Sequence, residues 1–205
     1  MNRPCSRGTL PAEKERHNGV GLVPTSQGEV YCEVLGDGPP LVLLHADAAS
    51  GVEYASVIDW LARRHRVIVV DFPGCGRSPR RAFSSEYHQE NAKAVIDVLR
   101  ATTTAPAWVV GNGGGAVVGV WAALLAPPMV RGVVADSFVE FLDRDDVQKD
   151  LMAHQEPTHE MISFWREMNG DDWRTVIDQL DRVCAALADQ KRSLCNWRLE
   201  ELGCP

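Results

Sequence analysis

The chain has 205 residues, 45% of them apolar, with a formal net charge of −7 and an isoelectric point near 5.4. That is enough for one well-buried core, and the acidic balance gives no electrostatic footprint for nucleic acid. The first 18 residues, "MNRPCSRGTLPAEKERHN", are polar, and no stretch approaches the length of a membrane span, so the expectation is a cytoplasmic protein with a flexible tail over 1–18 and no membrane contact.

The core reads from residue 19 to 138. "EVYCEVLG" alternates apolar and polar residues, as a half-buried strand does, and "LVLLH" is a short apolar run of the kind buried on both faces of a parallel sheet. Across 51–64 the apolar set Tyr54, Val57, Ile58 and Leu61 falls on one helical stripe. The unit then repeats. "RVIVVDF" predicts a second buried strand, and Ala92, Val95, Ile96 and Leu99 mark a second helix. "AWVVG" leads into a third helix that Pro127-Pro128 stops, and "VRGVVADSF" is a further strand. Strands alternating with helices predict an α/β sandwich of three layers around a mostly parallel sheet.

Residues 139–205 change rhythm. They carry helical patterns only: "HEMISFWREM" ends at Asn169-Gly170, Asp171 or Asp172 can cap the next helix, and that helix has seven apolar positions from Trp173 to Leu187 on one face. This segment reads as a helical cap. The six cysteines, Cys5, Cys32, Cys75, Cys184, Cys195 and Cys204, are dispersed. With no C-x-x-C pair and no Cys/His cluster at ligand spacing, neither metal nor cofactor is expected.

The chemistry centres on "WVVGNGGGAVVG", a strand that turns into a helix through glycines. In the pattern G-x-S-x-G such a turn lifts a serine clear of the sheet to attack an acyl carbon. Here it reads Gly111-Asn112-Gly113-Gly114-Gly115, with glycine in the central place. A dinucleotide fingerprint also fits, through Gly111, Gly113 and Ala116 with Asp136 about 20 residues on, although two strand-helix units already precede it.

Three other segments bear on the choice. "LVLLHADAAS" resembles the His-Gly or His-Ala loop that closes an oxyanion hole, "VVDFPGCGRS" a loop of pattern Asp-x-x-Gly-x-Gly-x-Ser, and "VRGVVADSF" a strand leading into a lid. Their order around "GNGGGA" resembles the α/β-hydrolase superfamily, in its serine branch, over roughly residues 20–140. The resemblance implies a carboxyl-ester hydrolase lineage. It makes Gly113 a vacant nucleophile position, and Asp47 and Gly114 the backbone N–H donors to an oxyanion. Asp136 becomes a displaced acid, and His45, Asn112, Trp165 and Trp173 become candidate substrate contacts. His45 and Asp71 also end buried strands, which suits a purely structural tie.

The superfamily orders its triad as nucleophile, acid, histidine, with the last two after the cap. This sequence ends at "EELGCP", which resembles the start of the strand that bears the acid, and its six histidines all lie at or before His159. The expectation is an inactive or incomplete chain. Its alternative is a non-catalytic binder of a small apolar or acyl ligand. The strand near 130–136 is expected to be an exposed edge through which two copies could pair.

Overall fold

The computed structural model describes residues 19–205. The tail and Cys5 lie outside the described residues. Six strands form one sheet: β1 (Gly19–Thr25), β2 (Gly28–Leu35), β3 (Pro40–Leu44), β4 (Arg66–Val70), β5 (Ala107–Asn112) and β6 (Val130–Asp136), in the order β1-β2-β4-β3-β5-β6. β1 and β2 form an antiparallel hairpin that joins β4 antiparallel; β4, β3, β5 and β6 then run parallel.

Period-two alternation sorts the central side chains cleanly. Leu41 and Leu43 of β3, with Val67 and Val69 of β4, pack on one face with Ile58, whereas Val42, Leu44, Ile68 and Val70 face the larger core on the other. That larger core is closed by α2 (Tyr87–Thr102) and α3 (Gly114–Leu125). All four residues of the predicted second stripe, Ala92, Val95, Ile96 and Leu99, are buried there. Burial of each Val, Leu or Ile is worth about 1.5–3 kcal/mol.

Two local readings are corrected. Residues 51–64 do not form one helix: Gly51–Tyr54 is a 3-10 turn, and α1 covers only Ile58–Ala62. The Ser50 hydroxyl accepts from Val52 N–H and Asp71 Oδ1 accepts from Gly51 N–H at 2.7 Å, which ties the start of the segment to a loop. Val57 is left exposed. The second correction is β1, for which "GVGLVPT" gave little signal. Glycine and proline weaken a strand pattern and are tolerated at a sheet edge, where β1 lies.

Beyond β6 come α4 (Arg144–Gln155), α5 (His159–Asn169) and α6 (Trp173–Asp189). The Thr158 hydroxyl caps α5 at Met161 N–H, and Gly170 at φ 80° ends it. Asp172 precedes α6, but its carboxylate makes an ion pair with Arg80 at 2.8 Å, not a cap. Trp173, Val176, Ile177, Leu180, Val183 and Leu187 are buried in the larger core, with Cys184 partly buried against it. No helix of the described residues is long and apolar enough to cross a membrane.

The last segment returns to the sheet. Trp121 of α3, buried, donates its indole N–H to the Leu194 carbonyl at 2.7 Å, and Val133 N–H of β6 donates to the Pro205 carbonyl at 3.0 Å. β6 is the edge strand, and Val134, Ala135 and Asp136 remain exposed on it. Both partners of the indole bond are buried. Trp121→Phe keeps most of the ring volume but leaves the carbonyl unpaired, and is expected to lower unfolding free energy by about 1–3 kcal/mol in urea titrations.

Candidate functional site

At the top of β5 the chain reverses within one residue. Gly113 has φ 54° and ψ −117°, and α3 starts at the next position. The turn depends on close backbone approach. A Cβ on Gly111 would lie 2.2 Å from the Gly115 carbonyl oxygen, and one on Gly115 2.2 Å from the Leu44 carbonyl oxygen. Only glycine permits either contact. Position 113 differs. A Cβ there would meet nothing nearer than that of Ala46 at 3.7 Å, an ordinary contact, so there is room for a side chain that the sequence does not supply.

The loop opposite is held by buried polar groups. His45 is fully buried; its Nδ1 lies 2.8 Å from the Ala46 carbonyl and its Nε2 2.9 Å from Phe72 N–H. A carbonyl only accepts and an amide N–H only donates, so the ring is neutral with its proton on Nδ1. Burial pushes its pKa down, as this tautomer requires. With both nitrogens committed, His45 is a loop fastener and has no polar atom left for a substrate. Asp71 plays the matching part, accepting from Gly51 N–H, Arg77 N–H and the Arg77 guanidinium. Burial alone would raise its carboxyl, but these donors hold it below the usual carboxylate range.

Asp47 and Gly114 come together, though not only through backbone. The Asp47 carboxylate packs on Gly114, where a Cβ would lie 2.0 Å from Oδ1 and 2.3 Å from Oδ2. Oδ2 lies 3.2 Å from Nε2 of His88, and Oδ1 is buried with no hydrogen-bond partner among the described residues. His88 was not singled out in the sequence. It precedes Ala92 and Val95 by four and seven positions, and that helical spacing could have placed it on the buried face.

The remaining candidates are accounted for differently. The Asn112 amide donates to Glu53 Oε1 at 2.8 Å, while Glu53 Oε2 accepts from Ala46 N–H at 3.0 Å, so Asn112 ties the turn to the loop. Asp136 reaches the turn through its carbonyl, which accepts from Gly113 N–H at 3.0 Å; its exposed carboxylate meets the Ser137 hydroxyl, and no histidine. Trp165 and Trp173 are buried and stacked on each other at 5.2 Å, with Trp165 edge-on to His154. They pack the helical segment. Cys75 is buried beside the Tyr87 hydroxyl, and burial pushes its thiol up to about 12, so it stays protonated at neutral pH.

A second residue that the sequence did not reveal is Asn169. Buried at the end of α5, it accepts from Gly76 N–H at 2.9 Å and donates to the Ala48 carbonyl at 2.8 Å. One amide therefore joins the helical segment to both loops that flank the turn. Arg80 reinforces this, bonding the Asn169 carbonyl and Asp172.

Two outcomes follow from this geometry. Gly113→Ser should fold, at a cost of about 1–3 kcal/mol for a side chain at positive φ, while Gly115→Ala, pressed against backbone, should lose distinctly more; urea midpoints of the pair test the order. For His45 the folded pKa lies below the unfolded value of about 6.5. The unfolded chain then binds the extra proton first, so stability is full at neutral pH and declines as pH falls below about 6.5. The contribution of Asp71, its pKa lowered, is lost only below about pH 4. Urea midpoints between pH 7.5 and 5 should fall in the native chain, with a flatter slope in His45→Gln.

The family model for the alpha/beta hydrolase fold matches residues 39–172. A pimeloyl-[acyl-carrier protein] methyl ester esterase of Aeromonas salmonicida is 30% identical over 83% of this chain and 65% of its own length. Its counterpart in Chromobacterium violaceum is 40% identical over 46% of this chain and 35% of its own, and the magnesium-chelatase 30 kDa subunit of Rhodobacter capsulatus is 39% identical over 48% and 35%. The chain thus spans about a third of the first relatives it matches. Among solved structures, E-2-(acetamidomethylene)succinate hydrolase superposes with a TM-score of 0.69 at 18% identity, covering 92% of this chain and 79% of that one. A serine-to-glycine mutant of an N-acyl homoserine lactonase, complexed with N-hexanoyl homoserine lactone, gives 0.63 at 22%, covering 84% and 69%. The strand order, the turn at Gly113 and the matched residues converge, and the chain belongs to the alpha/beta hydrolase fold family.

Proposed function

We propose that this chain is of ester-hydrolase lineage and that, with glycine at position 113, it holds an acyl-bearing small molecule without turning it over. The observation that carries the reading is the turn itself: Gly113 keeps the dihedrals that present a side chain, with open space beside Ala46, and has no side chain to present. An acyl-enzyme needs a bond between a side-chain oxygen and the acyl carbon, and at this point there is no oxygen to form it. The esterase relatives support the lineage.

Backbone donors at Gly114 and Asp47 could still polarise a bound carbonyl, and such donors alone leave a residual rate of roughly a thousandfold over water when triads are dismantled. Here the Asp47 carboxylate lies against Gly114. Negative charge beside one of the two donors opposes the build-up of an oxyanion there. A reducing, cytoplasmic setting is the companion proposal, supported by the free thiols of Cys32, Cys75, Cys184, Cys195 and Cys204.

The test is hydrolysis of 4-nitrophenyl butyrate by the purified chain. The expected result is a rate indistinguishable from that of buffer with Gly113→Ala protein added. Turnover near the ordinary enzymatic range, on the order of 1 s⁻¹ or more, would overturn the non-catalytic reading.

A further inference from the structure

The loop that faces the turn carries backbone strain. Five non-glycine residues among the described ones have positive φ, and Ala48, at 62°, is the only one of them that is buried. Left-handed backbone is disfavoured for an L-residue by roughly tenfold in population, and alanine has no polar side chain with which to offset that locally. Such a conformation persists only where the surroundings impose it.

What imposes it comes from the helical segment. Residues 46–49 close a turn in which Ala49 N–H donates to the Ala46 carbonyl at 3.1 Å, while Glu53 holds Ala46 N–H and Asp71 holds Gly51 N–H. Between those two anchors Asn169 Nδ2, at the end of α5, donates to the Ala48 carbonyl at 2.8 Å, and Met168 Sδ lies 3.7 Å from the Ser50 hydroxyl. Asn169 is itself well seated. Its Oδ1 accepts from Gly76 N–H at 2.9 Å, and Arg80 bonds both its carbonyl and that of Gly76. The loop in turn meets the glycine turn, with Ala46 nearest to the Gly113 position and the Asp47 carboxylate against Gly114.

We propose that Asn169 is a positioning residue through which the seating of α5 sets the loop against the Gly113 turn. With α5 seated, Ala48 is kept left-handed; with the Asn169 bond broken, Ala48 relaxes to negative φ and residues 46–48 shift relative to Gly113 and Gly114. Strain at Ala48 biases the loop toward release and the Asn169 bond biases it toward closure, so a segment 121 residues away controls the shape of the turn. This coupling is a property of the chain itself and stands apart from the acyl-binding reading.

The experiment measures native-state amide exchange of Ala49, whose N–H closes the loop turn, together with the amide shifts of Gly113 and Gly114, in the full ¹⁵N-labelled chain. Asn169→Ala should speed exchange at Ala49 on the order of tenfold, the scale of one buried hydrogen bond, and move both glycine signals. Exchange at Val42 and Val109, in the central strands, should stay as it was. Adding Ala48→Gly, which adopts φ 62° without strain, should return Ala49 and both glycines toward their native values by a similar factor. Ala48→Gly alone should slow exchange at Ala49, a readout that stands even if Asn169→Ala fails to fold. The coupling is overturned if Asn169→Ala leaves Ala49 and the two glycines unchanged, or if it speeds Val42 and Val109 equally. It is overturned as well if Ala48→Gly fails to rescue the Asn169→Ala chain, or if it loosens Ala49 in the native one.

Discussion

The whole site depends on how near α3 comes to the ends of β3 and β5. Gly115 sits against the Leu44 and His45 carbonyls, and Gly111 against Gly115. Any side chain at these places would push helix and strands apart. Because the approach is so close, the chain must reverse in one residue. Gly113 takes the positive φ that the reversal demands, and the N-terminus of α3 is aimed across the turn at the loop of His45 to Ser50. The parallel order of β4, β3, β5 and β6 gathers all the relevant loops at the same ends of the strands.

Around that turn, polar groups are spent on holding loops. His45, Asp71, Asn112, Glu53 and Asn169 each join one backbone segment to another, and nearly every buried donor or acceptor among them is matched. Matching of this kind makes loops rigid, since each bond broken would strand a buried group. Asp47 Oδ1, His65 Nδ1 and Asn91 Nδ2 are the buried side-chain atoms left without a partner among the described residues.

The sequence was most informative where periodicity and backbone geometry coincide. The strands that became β2 to β6 were legible from apolar runs, α2 and α6 from their stripes, and the turn from its glycines, because each records a packing constraint in consecutive residues. Ligand contacts were much less so. His45, Trp165 and Trp173, candidate substrate contacts that the sequence also allowed as structural, serve loops and helix packing, and Asn112 bonds Glu53. The tertiary roles of Asn169 and His88 were not legible because their partners lie 121 and 41 residues away along the chain. Such separations leave no local pattern. The 3-10 turn at Gly51 was missed for a related reason: it is set by Asp71, a residue of another loop.

Position 113 has one further consequence. Its neighbours at 111 and 115 are fixed by steric need and resist any replacement, but this one alone accepts a Cβ without moving backbone. Glycine and serine codons can stand a single nucleotide apart. The difference between a turn that can donate an oxygen and one that cannot can then be as small as one base, in a scaffold that need not be rebuilt to cross it in either direction.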